Sequence, residues 1–362
     1  MIVGDVSLVF ELPILKKFFL ITLQLYIQRR IRFRIIFAFG WFNVLVFTLI
    51  STAAVLLYLN VGCAWIAIPF LPVSLIGTAT AFYIGFKNNS SYDRLWEARR
   101  LWGAIVNDSR SWALSVRDYL GNQFRPEALP DSEIEAWKKK LIYRHLAYVN
   151  ALRIQLRRPQ TWEHNRPFNQ IFREKLAGSF GSVDMKSSIA PFLTESELAK
   201  ALKSQNVALH LMSEQSRDLE KLRVLNVIED FRHVDLQKLI QNLINSQGGA
   251  ERIKNFPFPR QYAFFSAIFV WVFVILLPFS LLGSFSEVSE GFVWMVIPFS
   301  VLTSWILMTM ELVGDYSENP FENLINDVPL SAMCRNIEID LRELLGETEL
   351  PERITHVNGI LM

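Results

Sequence analysis

The sequence predicts an all-α protein in which four transmembrane helices are continuous with a helical cytoplasmic domain, and three observations carry that prediction. Four stretches, 35–59, 64–86, 261–286 and 291–310, contain no charged residue. Between Lys87 and Arg260 no stretch is long and apolar enough to cross a bilayer, while helical patterning recurs throughout. The segment Pro72–Trp102 leaves its apolar run without a break: Gly85 is its one weak point and no further proline follows Pro72. With 51% hydrophobic and 20% charged residues, the 362-residue chain is too apolar for an ordinary soluble protein and too charged to lie wholly in a membrane.

In chain order, residues 1–34 form an N-terminal cytoplasmic segment closed by the basic string Arg29, Arg30, Arg32 and Arg34. At ~1.5 Å per residue, 35–59 spans a ~30 Å hydrocarbon core with some tilt. Pro69 and Pro72 bend the start of the second run, so a separate turn precedes the main helix 72–86. That helix holds Ser74, Gly77, Thr78, Ala79, Thr80 and Ala81, a small-residue content that suits either close helix packing or a pore lining.

Residues 87–260 form the cytoplasmic domain. Tyr92–Leu120 is an amphipathic helix whose Arg94, Glu97, Arg99 and Arg100 read as a solvated face. Asp131 or Ser132 caps a helix to about Arg157, and 159–190 is irregular. Thr194-Glu-Ser-Glu197 is a capping box opening a helix toward Leu222, and 227–246 is a further helix stopped by Gly248-Gly249. The third and fourth spans occupy 261–310, with Pro278 at the outer end of the third. Glu311 and Asp315 then begin a C-terminal cytoplasmic segment, 311–362, whose 332–345 part is amphipathic and helical.

The short links 60–63 and 284–290 carry no Lys or Arg, whereas basic residues flank the other membrane ends. The positive-inside rule therefore places both termini and the large domain in the cytoplasm. Cys63 and Cys334 then fall on opposite sides of the membrane and do not bridge. A formal charge of +2 removes the electrostatic argument for nucleic-acid binding. The five histidines are scattered, no metal-ligand spacing occurs, and there is no phosphate-binding loop or nucleophile motif. Neither an enzyme, a metal site nor a cofactor is expected. Transport, conduction or a membrane-anchored scaffold remain, and conduction by a four-helix subunit requires oligomerisation.

Three further motifs, GFKNNSSYDRLWEARRLWG at 85–103, ERIKNFPFPRQY at 251–262 and ENPFENLINDVPLSAMCRNIEIDL at 318–341, follow one another around the four spans. In this order the chain resembles the bestrophin family, and its bacterial branch in particular. The resemblance implies a homopentameric channel of the cell inner membrane, passing inorganic ions along a central axis. It places a neck at Ser74, Thr78 and Phe82 on the second helix, and a cytosolic aperture at Val234. It also makes Asn319, Pro320 and Phe321 the turn that docks the tail. The face Leu75, Ala79 and Tyr83 is the competing neck register. The loop after Asn319-Pro320-Phe321 offers few carboxylates, so the calcium clasp of animal members is not expected. Anions such as chloride are the expected cargo, with monovalent cations as the alternative and a non-conducting scaffold as the alternative from another class.

Overall fold

The computed structural model describes residues 33–163, 184–324 and 327–355. The basic string up to Arg32, most of the irregular segment 159–190, His164, Ile325, Asn326 and His356 lie outside the described residues. All regular structure among the described residues is helical. The helices are α1 (Phe33–Leu59), α2 (Phe70–Tyr119), α3 (Asp131–Leu156), α4 (Met185–Ile189), α5 (Glu195–Ala201), α6 (Val207–Val224), α7 (Asp230–Asn255), α8 (Arg260–Ser286), α9 (Val296–Ser317) and α10 (Leu330–Leu344). Two compact units result, one from the chain up to Asp93 with Phe258–Glu318, the other from Arg94–Pro257 with the chain from Asn319 on.

The first unit holds four helices long and apolar enough to cross a membrane, α1, the start of α2, α8 and α9. A 3-10 turn at Ala64–Ile66 precedes α2, as the prolines require, and Pro72 is tolerated because the first helical turn needs no N–H there. One core joins Phe47, Val73, Ile84, Val270, Phe273 and Leu307. Small polar groups help hold the helices together: Ser51 and Ser300 share a 2.7 Å hydrogen bond between α1 and α9. α8 runs eight residues past Pro278 to Ser286, so that proline lies inside the helix and not at its end.

The second unit is built around α3, where an unbroken run from Arg144 to Ile154 is buried. Three sequence expectations are corrected here. α7 passes through Gly248 and Gly249 to Asn255, because Gly249 sits against Leu101, whose Cδ2 would lie 2.8 Å from any Cβ. The glycine is therefore a packing residue and not a stop. The capping box at Thr194 is present, but its helix α5 ends at Ala201, and Asn206 caps a separate α6 through Leu209 N. Arg94 is not a solvated charge: its Nη2 donates to the carbonyls of Ile253 and Phe256 at the C-terminus of α7.

Candidate pore-lining site

α2 is 50 residues without a break, so Gly85 is accommodated inside the helix. Its membrane part shows two opposite faces. One face, Val73, Thr80, Ile84 and Lys87, is buried inside the first unit. On that side Gly77 lies against the Phe273 ring, where a Cβ would run into Cε2, and Thr80 Oγ1 turns back to the Ile76 carbonyl at 2.8 Å. These small residues permit close helix packing.

The other face leaves Leu75, Thr78, Ala79, Phe82 and Phe86 exposed in the single chain, with Ser74 half-buried beside them. Thr78 Oγ1 donates to the Ser74 carbonyl at 2.9 Å and Ser74 Oγ to the Leu71 carbonyl at 2.7 Å. Both hydroxyl protons are thus spent on the helix itself, and the methyl of Thr78 shares the open face with Phe82, which is 67% exposed. Tyr83 behaves differently: its ring stacks on Tyr262 at 6.0 Å and meets Phe269 edge-on at 5.3 Å. The small-residue content therefore has two causes on two faces, which composition alone merges into one.

Below the apolar run, Lys87 is buried and pairs with Glu311 of α9, whose second carboxylate oxygen accepts from Ser266 of α8 at 2.5 Å. Asp315 stands 4.0 Å from the same ammonium. One turn position along, Asn88 donates to the Met310 carbonyl at 3.0 Å and crosses α9 at Gly314. Glu311 consequently does not open an aqueous segment, because α9 continues to Ser317 and buries it. Sequence reasoning passed over Lys87 and Glu311, since their pairing joins residues 224 positions apart.

Val234 lies near the start of α7 and is 49% exposed, next to the more exposed Phe231. Within the tail motif, Phe321 is buried in the core of the second unit and Asn319 Nδ2 donates to Glu322 at 2.6 Å. The Pro320 carbonyl receives the Val328 N–H at 3.1 Å, closing a loop. Asp327, enclosed in that loop, has its carboxyl pushed up to about 8 by burial and by Glu322 beside it. No group of three or more His, Cys, Asp or Glu side chains able to hold a metal occurs among the described residues. Ser74, Thr78 and Phe82 thus lie in the first unit, and Val234 and the Asn319-Pro320-Phe321 turn in the second.

Comparison with known proteins adds three findings. The family described as Bacterial/Fungal Bestrophin protein matches residues 23–343. The voltage-dependent anion channel-forming protein YneE of Escherichia coli (strain K12) is 28% identical over 298 residues, 82% of this chain and 83% of that protein. A second protein of that description, RSc3414 of Ralstonia nicotianae, is 29% identical over 285 residues, covering 77% and 78%. Among solved structures, a bacterial bestrophin homolog from Klebsiella pneumoniae superposes with a TM-score of 0.68 at 24% identity, over 85% of this chain and 98% of the other.

Proposed function

Because this chain belongs to the bacterial and fungal bestrophin family, with the match extending over most of its length, we propose that it forms a passive anion channel, a homopentamer whose axis is lined by α2. The family points to a channel rather than an enzyme. The observation that carries the reading is the open, uncharged face of α2 opposite its packed one, since one four-helix subunit cannot enclose a pore and such a face calls for copies of itself. The printed names of the relatives as anion channel-forming proteins support the sign of the permeant ion.

In this reading Ser74, Thr78 and Phe82 form successive neck rings and Val234 the aperture. Five Phe82 rings would present their edges to a passing anion, whose lost water the positive ring edges partly replace. Thr78, with its proton spent on Ser74, would add a methyl ring. Weakly hydrated anions such as chloride suit that surface. The membrane part is 35–86 and 261–317, with Glu311 buried inside it; residues 1–34, 94–257 and 319–362 are cytoplasmic, and the membrane is the inner membrane of a bacterium. The Asn319-Pro320-Phe321 turn fixes the tail by burying Phe321.

Planar-bilayer recording of the purified protein under a potassium chloride gradient tests this. The expected reversal potential moves toward the chloride potential. Movement toward the potassium potential would reverse the ion assignment, and a monodisperse monomer without current would leave only the scaffold.

A further inference from the structure

α3 buries its arginines in two different ways. Arg144 has its counter-charges at hand, with Asp218 2.8 Å from Nη2 and Glu197 paired to the same nitrogen. Arg153, 7% exposed, and Arg157, half-buried one turn later at the C-cap of α3, have none among the described residues. Arg153 Nη1 donates to Ser331 Oγ at 3.0 Å and Nη2 to Ser188 Oγ at 3.4 Å. Arg157 Nη1 donates to the same Ser331 Oγ at 2.6 Å. Arg153 Nε and Arg157 Nη2 are enclosed without any acceptor.

Two guanidinium groups within one helical turn, both lacking a carboxylate within ion-pair distance, repel one another and are poorly solvated. Burial and the Arg153 charge push the Arg157 guanidinium down to about 10. Asp327 lies in the same neighbourhood and favours the Arg157 charge, but burial pushes its own carboxyl up to about 8 and it forms no ion pair with either guanidinium. The C-terminal dipole of α3 offers partial relief, yet α10 begins at Leu330 with no side-chain cap and sets its positive end beside the same cluster. Ser331 accepts two N–H groups at one oxygen, so its own proton is left to donate elsewhere.

Arg153, Ser188 and Ser331 line a pocket of about 230 Å³, together with Asn150 and Arg335. The one carboxylate on its wall, Glu338, is already held by Arg335 at 3.2 Å and Arg342 at 3.3 Å. We propose that this pocket is a binding site for a small oxyanion of the phosphate class, held by Arg153 and Ser331 on its wall, with Arg157 behind them bonded to the same serine oxygen. Planar guanidinium forks match the oxygen spacing of such an anion, and the pocket is larger than a halide needs. The site lies within the second unit and does not depend on the channel reading.

Equilibrium dialysis of the full chain in detergent against labelled inorganic phosphate, at fixed ionic strength, tests it. One saturable phosphate per chain is expected, displaced by sulfate and not by equal chloride. Arg153→Met should weaken binding at least about tenfold. In phosphate- and sulfate-free buffer the same substitution should raise the melting temperature, because it removes one uncompensated charge. Arg153→Lys, keeping charge without the fork, should bind at an intermediate level, and Arg217→Met, an exposed arginine of α6, should bind as the parent chain does. Absence of saturable binding, binding indifferent to Arg153→Met, or displacement by chloride as readily as by sulfate would each overturn the proposal.

Discussion

Phe82 and Tyr83 are sequence neighbours in opposite surroundings, and the difference predicts their substitution phenotypes. Phe82→Ala removes an open-face ring and is expected to raise single-channel conductance with thermal stability unchanged. Tyr83→Ala removes a ring packed on Tyr262 and Phe269 and should cost about 2–4 kcal/mol without a larger current. Recording and thermal unfolding on both variants decide it, and a gain of current confined to Tyr83→Ala would exchange the registers. His145 gives a pH prediction. It is fully buried, bonds Ser109 Oγ at 2.8 Å, and is pushed down to about 3 by burial. A folded-state value below the unfolded one means that its stability contribution is complete above the unfolded value near 6.5 and is lost as pH falls toward 3. From pH 6.5 to 5 the loss from this group is about 2 kcal/mol, and His145→Gln should flatten that part of a melting-temperature profile.

At the scale of the element, α2 shows why local sequence and tertiary packing must be read together. Its length follows from the absence of an interior proline, but its orientation follows from Val73, Thr80, Ile84 and Lys87 entering one unit. Lys87 and Glu311 join α2 to α9 away from water, so removing one partner leaves a buried charge. Glu311→Met or Lys87→Met should destabilise by about 3–5 kcal/mol, while the two substitutions together should recover most of that loss. Thermal unfolding across the four proteins measures the coupling, and additive losses would show that the two side chains act separately. The same reasoning explains α7: glycines that end a helix in isolation remain inside one when a neighbour such as Leu101 needs the space.

For the whole molecule the open prediction is topology. Cys334 is a poor reporter of it, because burial beside the Val149 carbonyl hides the thiol and pushes it up to about 11, so it resists labelling from either side. Cys63 is partly exposed in the link after α1, and Arg353 is exposed in the tail. In intact cells a membrane-impermeant maleimide is expected to label Cys63, and to reach Arg353→Cys only after permeabilisation. Labelling of Arg353→Cys in intact cells would invert the orientation.

What the sequence by itself determined is the all-helical class, the four apolar spans, their order and the motifs of the family. These depend on hydropathy and on the placing of proline and charge, which act over a few residues and are visible in any short window. The tertiary structure decided which small residues of α2 pack and which stay open, that Glu311 is buried and paired, and that Gly249 is a contact. It also separated Arg144, which has its carboxylates, from Arg153 and Arg157, which have none among the described residues. Each of these depends on a partner far along the chain, Lys87 and Glu311 at 224 residues and Arg153 and Ser331 at 178. Burial and pairing at such distances are set only when the helices come together.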